Sequence, residues 1–426
     1  MRKNILIGIL LAVLLLIGVT GVYSANKKKV QDDLYRQVEL FSDTLAIINN
    51  EYAEDTKPKD LIYGALKGML ASLDAHSQFM DPETYNELKV DTEGKFGGLG
   101  IEITIKDGLL TVITPIEDTP AWKAGIKAND HIVKINDELT REMTLIDAVK
   151  KMRGKPGEVV NLTILRDSEK KLMDFKITRD IIRIKDIKQA RILEDGIGYI
   201  RLAEFREHTL RELNNALSSL SKQKMRSLIL DLRNNPGGLL DVAVKVAGRF
   251  IPADKMVAYT KGRKEGQNFE FFSSDKSAIL DLPMVILINE GSASGSEIVA
   301  GVLQDYKRAI IIGNKSFGKG SVQTVIPLGD GSALRLTTSH YFTPSGKIIH
   351  GKGIIPDIVM EAKENNGGKP DQAKTAKSED IFKEIGSADK KNKPPEDSFD
   401  YKNDLQIMRA VDTLKAIELY KQAEKI

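Results

Sequence analysis

Apolar residues at Val30, Leu34, Val38, Phe41, Leu45, Ile48 and Tyr52 recur in steps of four and three. That spacing predicts an amphipathic helix. A second helical segment is expected from Leu61 to Leu73. The first stripe fits either a helix packed on its own domain or a helix paired with another chain. From Gly94 the period changes to two. Ile101, Ile103 and Ile105 alternate with polar residues, then Leu110 and Val112, which reads as strand. Short β patterns continue to about Arg179, broken by helices at Asp118–Gly125 and Leu145–Met152.

Beyond Asp180 the pattern becomes strand–helix alternation, which argues for an α/β layer. Strands are expected at Gly198–Leu202, Ser227–Leu232, Met284–Asn289 and Arg308–Gly313. Helices are expected at Thr209–Leu220, Gly238–Phe250 and Ser296–Asp305. A more β-like closing section begins at Ser332. Residues from about Ala362 to Asp400 are polar and read as a flexible linker. A last helix, Leu405–Ala423, carries Leu405, Met408, Val411 and Leu414 on one side. It should dock on the body or on a second subunit.

The N-terminus changes the picture of where the chain works. Arg2 and Lys3 precede an apolar run from Ile5 to Val22. That length lies at the border between a cleaved signal peptide and a transmembrane anchor, and both readings stay open. The expected location is outside the cytoplasmic membrane, in the periplasm or on its outer face. Composition excludes several chemistries. With no cysteine, thiol proteases, thiolate zinc sites and disulfides are ruled out. Five histidines form no His-Glu-x-x-His pair, so a zincin has no support. A net charge of +3 gives no case for nucleic acid. No metal or other cofactor is called for.

The segment around Gly98-Leu99-Gly100-Ile101, Thr119-Pro120-Ala121, Ala124-Gly125-Ile126, Asp130-His131-Ile132 and Arg153-Gly154 resembles a PDZ domain of bacterial proteases. Asn129 replaces the usual glycine and tolerates the same left-handed turn. The resemblance implies that the Gly98–Ile101 loop points N–H groups at a peptide's terminal carboxylate. The following strand edge would take the peptide as an added strand.

The chemistry should lie in two short segments. Gly291-Ser292-Ala293-Ser294-Gly295-Ser296-Glu297 joins a strand to a helix, and Phe317-Gly318-Lys319-Gly320 is a glycine-flanked lysine loop. A serine hydroxyl needs a base to become nucleophilic. Lysine serves only when neutral, with its pKa lowered by burial. The crowding of Phe317, Gly318 and Gly320 would hem the lysine in. Taken alone, the three serines are equal candidates.

Four blocks in order resemble the carboxy-terminal processing peptidases, also called tail-specific proteases. They are Asp231-Leu232-Arg233-Asn234-Asn235-Pro236-Gly237-Gly238, Ser292–Ile298, Gln304-Asp305-Tyr306 and Phe317–Gln323. Tyr341–Gly346 and Gly351–Asp357 extend the likeness. The resemblance implies Ser294 as nucleophile and Lys319 as general base, with Gln323 orienting the lysine amine. Ser292 and Ser296 would be turn and cap hydroxyls. The oxyanion hole would use the N–H of Gly295 and one from Gly237 or Gly238. Such donors are worth roughly 3–4 kcal/mol of barrier each. Asp305 matches a supporting position without a chemical role. Arg153 is a candidate contact for gating by the PDZ segment, or a solvated turn residue. Ala75 and Gly295 depart from the family pattern without touching a reacting side chain.

Ser316-Phe317-Gly318-Lys319 also fits the Ser-x-x-Lys motif of penicillin-binding proteins, but no Ser-Asp-Asn occurs and no Lys-Thr-Gly follows. A non-catalytic binder of C-terminal tails is the alternative of another class. The expected architecture is multidomain α/β plus β. It comprises a signal or anchor (1–25), an N-terminal helical region (26–93) and a PDZ-like β domain (94–180). An α/β serine-protease core with a β closing section (181–360), a polar linker (361–400) and a C-terminal helix (401–426) follow. The implied partners are proteins or peptides with accessible C-termini, and the membrane through the N-terminal segment. A homodimer and an adaptor protein stay open.

Overall fold

The computed structural model describes residues 33–361, apart from 107, 167, 168 and 170, and residues 399–423. The apolar N-terminal run, Val30 and most of the polar linker lie outside the described residues. The chain divides into two units, Met1–Pro82 with Val325–Leu336, and Glu83–Thr324 with Thr337–Ile426.

In the first unit, helix 33–51 follows the period-3.6 stripe. Its apolar side chains are not packed as a domain core would pack them. Leu34, Val38 and Phe41 are 62, 55 and 44% exposed. The next helix is Pro58–Ala71, with Pro58 in its first turn. A strand with no alternation long enough to read from sequence, Gln78–Met80, pairs antiparallel with Ala333–Arg335. Phe79 and Met80 bury there, Tyr63 meets Phe79 edge-on at 4.8 Å, and the Tyr63 hydroxyl donates to Asp330 at 2.7 Å.

The second unit begins with helix Pro82–Glu93, which carries no buried residue and no apolar stripe to reveal it. A two-stranded ladder then pairs Lys95–Gly98 with Asp180–Arg183. Between these strands lies a six-stranded antiparallel sheet. Strand Ile101–Lys106 is its edge, followed in order by Leu109–Pro115, His131–Ile135, Val159–Arg166 and Lys171–Thr178, and the short Glu138–Leu139 pairs with His131–Ile135 off this path. Val112, Ile132, Ile135, Val160, Leu162 and Ile164 fill its core. Helix Leu145–Met152 opens on a capping box between Thr144 and Asp147.

The second sheet has the order Ile187–Ile192, Ile197–Leu202, Ser227–Asp231, Met284–Ile288, Ile310–Gly313 and Ile358–Val359. Its first pair is antiparallel and the others are parallel. Ser227–Asp231 and Met284–Ile288 are buried at every position, as parallel strands covered on both faces must be. Helices Thr209–Lys222, Leu240–Gly248 and Gly295–Asp305 supply Leu213, Val246 and Val299 to the core on one face. The last helix, Leu405–Ala423, covers the other face. It docks on the body, but through Ile407, Ala410, Val411 and Leu414. Leu405 stays 38% exposed, so the buried stripe is rotated from the expected one.

Candidate active site

Three adjacent parallel strands end at the same edge of the sheet, and each delivers one segment of the site. Ser227–Asp231 leads to Gly237 and Gly238, Met284–Ile288 to Ser294, and Ile310–Gly313 to Lys319. Open α/β sheets place ligands at this carboxyl edge.

Ser294 is half-buried at the head of helix Gly295–Asp305, with φ +53° and ψ −112°. A non-glycine residue there is strained by about 1–3 kcal/mol, which neighbouring bonds must offset. Ser292 and Ser296 have no exposed surface, and their hydroxyls are spent on Leu232 O at 2.8 Å and Asn235 O at 2.9 Å. That division singles out Ser294. Ser316 is likewise committed: its hydroxyl donates to Glu297 and accepts from the Ile354 N–H, both at 2.6 Å.

Glu297, fully buried, is the residue sequence reasoning left without a role. Its Oε2 accepts the backbone N–H of Ser294 at 2.8 Å and that of Lys319 at 2.9 Å. Its Oε1 accepts from the Ser316 hydroxyl and, at 2.7 Å, from the Gly318 N–H. One carboxylate thus joins the serine turn to the lysine loop. Burial pushes its pKa above the usual range, although the bonds from Ser316, Gly318, Ser294 and Lys319 act the other way. Four bonds to a charged group at about 1.5–3 kcal/mol each are of the order needed to offset several kcal/mol of desolvation. Its signal in the sequence was its place three residues after Ser294, the spacing of a helix-start acid.

Gly237 does not have a free oxyanion donor. Its N–H is spent on Asn235 Oδ1 at 2.9 Å. Its use is steric: a Cβ there would lie 2.7 Å from Ser294 Cβ and 2.8 Å from Gly295 N. The N–H groups of Gly238 and Gly295 make no hydrogen bond among the described residues. Of the three glycines named from the sequence, these two keep an available donor.

The lysine loop is not hemmed in by Phe317, which is 63% exposed. It is walled by backbone. A Cβ on Gly318 would lie 3.1 Å from Gly353 N, and one on Gly320 would lie 2.3 Å from His350 N. Lys319 is half-buried, and its carbonyl accepts from the Tyr341 hydroxyl. Gln323 directs its amide nitrogen to Ser321 Oγ at 2.8 Å and Ser321 O at 3.2 Å.

Asp305 gains a structural task. Its carboxylate pairs with Lys347 at 2.9 Å and accepts the Ser345 N–H at 3.0 Å, pinning the turn after strand Ala333–Phe342. Burial raises its pKa, but the bonds from Lys347, Thr343 and Ser345 outweigh this and hold it below the usual carboxylate range. Asp231 and Arg233 form a second anchor. Arg233 bonds Asp231 at 2.6 Å, Asp404 at 2.9 Å and Gln406 at 2.9 Å, and Tyr199 donates to Asp231 at 2.8 Å. Asp404 and Gln406 belong to the start of the last helix, which is thereby tied to the loop carrying Gly238.

At the foot of the PDZ-like domain, Gly98 pairs with Asp180 in the two-stranded ladder, and the Leu99 side chain enters the core of the six-stranded antiparallel sheet. Gly100 has φ +80°, and a Cβ there would lie 2.3 Å from Thr119 Cβ. The Leu99 and Gly100 carbonyls are tied to Ala121 and Ile116, while their N–H groups bond no described residue. Ile101 begins the open edge strand. Arg153 stacks its guanidinium over Phe96 at 4.6 Å, against the two-stranded ladder.

Residues 196–360 match the model of peptidase family S41, 111–166 match a PDZ domain, and 18–84 match the activating protease CtpB N-terminal domain. A carboxy-terminal-processing protease of Bartonella bacilliformis is 44% identical over 83% of this chain and 81% of its own length. The chain belongs to the carboxy-terminal processing protease family. It is a serine-type peptidase with a PDZ domain. The carboxy-terminal processing protease CtpB of Bacillus subtilis is 34% identical over 83% of this chain and 73% of its own length. Among the described residues of this protease, no helix is long and apolar enough to cross a membrane.

Proposed function

We propose that the protein is an endopeptidase of the cell envelope that reads substrate C-termini with its PDZ domain and cuts by a Ser–Lys mechanism. The observation that carries this reading is the Glu297 carboxylate, whose one oxygen binds the N–H groups of both Ser294 and Lys319. Ser294 Oγ attacks the scissile carbonyl carbon while its proton passes to Lys319 Nζ. The developing oxyanion is met by the Gly295 and Gly238 N–H groups. Lys319 then gives its proton to the leaving amine, and water releases the acyl group from Ser294 by the same route. Gln323 orients the lysine amine through its carbonyl oxygen while its amide nitrogen stays on Ser321.

The Leu99 and Gly100 N–H groups and the open edge at Ile101 support capture of a chain end. Substrates are proteins or peptides with accessible C-termini. The apolar run Ile5–Val22 supports export. The match over 18–84 to an activating-protease domain supports a partner at that region, with an adaptor or a second copy as the forms it takes.

The test is peptide cleavage by wild type, Ser294→Ala and Lys319→Ala, on substrates with free and amidated C-termini. Both variants should lose at least 10³-fold in kcat, and amidation should raise KM for wild type. Retained activity in Ser294→Ala, with loss in Ser316→Ala, would overturn the assignment.

A further inference from the structure

Two histidines flank the lysine loop, and the Ser294–Lys319 chemistry uses neither. His340 lies in strand Ala333–Phe342, one residue before Tyr341, whose N–H donates to Gly320 O at 2.9 Å. His350 approaches the same glycine from another segment. A Cβ on Gly320 would lie 2.3 Å from His350 N, and the next residue, Gly351, donates its N–H to Gly318 O at 2.9 Å. The two imidazole rings come within 4.7 Å of each other, centroid to centroid, tilted by 49°. His340 Nδ1 is buried and bonds no partner among the described residues. A buried nitrogen without a partner is costly, and an ion or a water is what relieves it. His350 is exposed, so the pair opens to solvent.

We propose that His340 and His350 form a binding site for a divalent transition-metal ion of the zinc or nickel kind. Imidazole nitrogens bind Zn²⁺ at about 2.0–2.1 Å, and a tetrahedral ion shared by two rings sets their centroids roughly 5 Å apart. Imidazole suits these ions, whereas magnesium and calcium take oxygen ligands. No third histidine or carboxylate joins the pair among the described residues, so water fills the remaining positions. Lys261 stands opposite His340 in the neighbouring strand Met256–Gly262, with its ammonium 5.5 and 5.6 Å from the centroids of the Tyr259 and Phe342 rings. Its charge lowers the affinity for a cation, which makes this a site that fills and empties with metal supply. The bound ion ties together the two segments that hold Gly318 O and Gly320 O, and so braces the backbone on both sides of Lys319.

Calorimetric titration of the untagged, metal-free protein with NiCl₂ or ZnCl₂ tests the site without any substrate. One ion should bind per chain, and MgCl₂ should give no heat. His350→Ala, at an exposed position, should weaken binding by at least about 10-fold, since even the partners behind a ligand carry that much. It should leave cleavage in the absence of metal unchanged. His340→Gln should weaken binding equally, and the His350 variant decides alone if the His340 variant does not fold. On addition of ZnCl₂, backbone hydrogen exchange across residues 318–323 should slow in wild type and not in His350→Ala. No binding by wild type, or binding that survives loss of His350, overturns the site. A bound ion that leaves exchange across 318–323 unaltered overturns the bracing of the loop. Failure of the Ser294–Lys319 reading would show in cleavage by Ser294→Ala and not in these titrations.

Discussion

At the residue scale, the site depends on what surrounds Ser294 as much as on the serine itself. Glu297→Gln replaces two acceptor oxygens with one acceptor and one donor, so the Ser294 and Lys319 N–H groups compete with the Ser316 hydroxyl and the Gly318 N–H for one oxygen. We expect kcat to fall on the order of 100-fold with a native circular dichroism spectrum, because reacting groups displaced by about an ångström cost that much. Gly237→Ala should be at least as damaging, since its Cβ would meet Ser294 Cβ at 2.7 Å with φ at +102°. Single-turnover kinetics on both variants would check this. A variant as fast as wild type would refute the electrostatic role of Glu297 or the steric role of Gly237. Glycines and small residues marked both loops in the sequence, but Ser294 and Lys319 were named only through the family resemblance. Glu297 was not legible, because an acid three residues into a helix reads as an ordinary cap until burial and its four donors are seen. Gly237 stood as an alternative to Gly238 for a similar reason: nothing in Asn-Asn-Pro-Gly-Gly says that the Asn235 side chain turns back onto the Gly237 N–H.

At the element scale, period-two and period-3.6 patterns marked most strands and helices of the second unit, and their ends moved by a few residues. What stayed hidden were elements whose burial comes from distant chain. Strand Gln78–Met80 is recognisable only opposite Ala333–Arg335. The face of Leu405–Ala423 was misread because Arg233 and Gln406 fix how that helix starts, and this rotates the buried stripe. Arg233→Ala should therefore cost about 3–5 kcal/mol, the usual result of stranding a buried partner such as Asp231. Urea unfolding would measure it, and a loss below about 1 kcal/mol would place the pair with weak surface bridges. Asp305 gives a pH-dependent counterpart. Its folded pKa is depressed, so its contribution is present above the ordinary carboxylate pKa of about 4 and is lost as pH falls through the lower folded value. Asp305→Asn should be less stable than wild type near neutral pH and indistinguishable from it in strong acid. An equal difference at both pH values would refute the ion pair.

At the scale of the whole molecule, the PDZ domain and the segments bearing Ser294 and Lys319 are built on different sheets of one chain. Gly100→Ala, which drives a Cβ to 2.3 Å from Thr119 Cβ, should abolish the preference for free over amidated C-termini. Labelling of Ser294 by a small phosphonate should be unaffected. Equal loss of both would mean that Gly100 supports the fold rather than the carboxylate. The docking of the last helix carries a further consequence, for the order in which the molecule is made. Ile197, Tyr199, Ile229, Val285, Leu287 and Ile312 are covered by side chains that lie later in the chain than any of them. Synthesis runs from the N-terminus, so the cover of this face is completed only when Leu405–Ala423 emerges, and Arg233 waits as long for Asp404. The newborn chain thus passes through a stage with its serine and lysine already translated but the loop bearing Gly238 not yet braced.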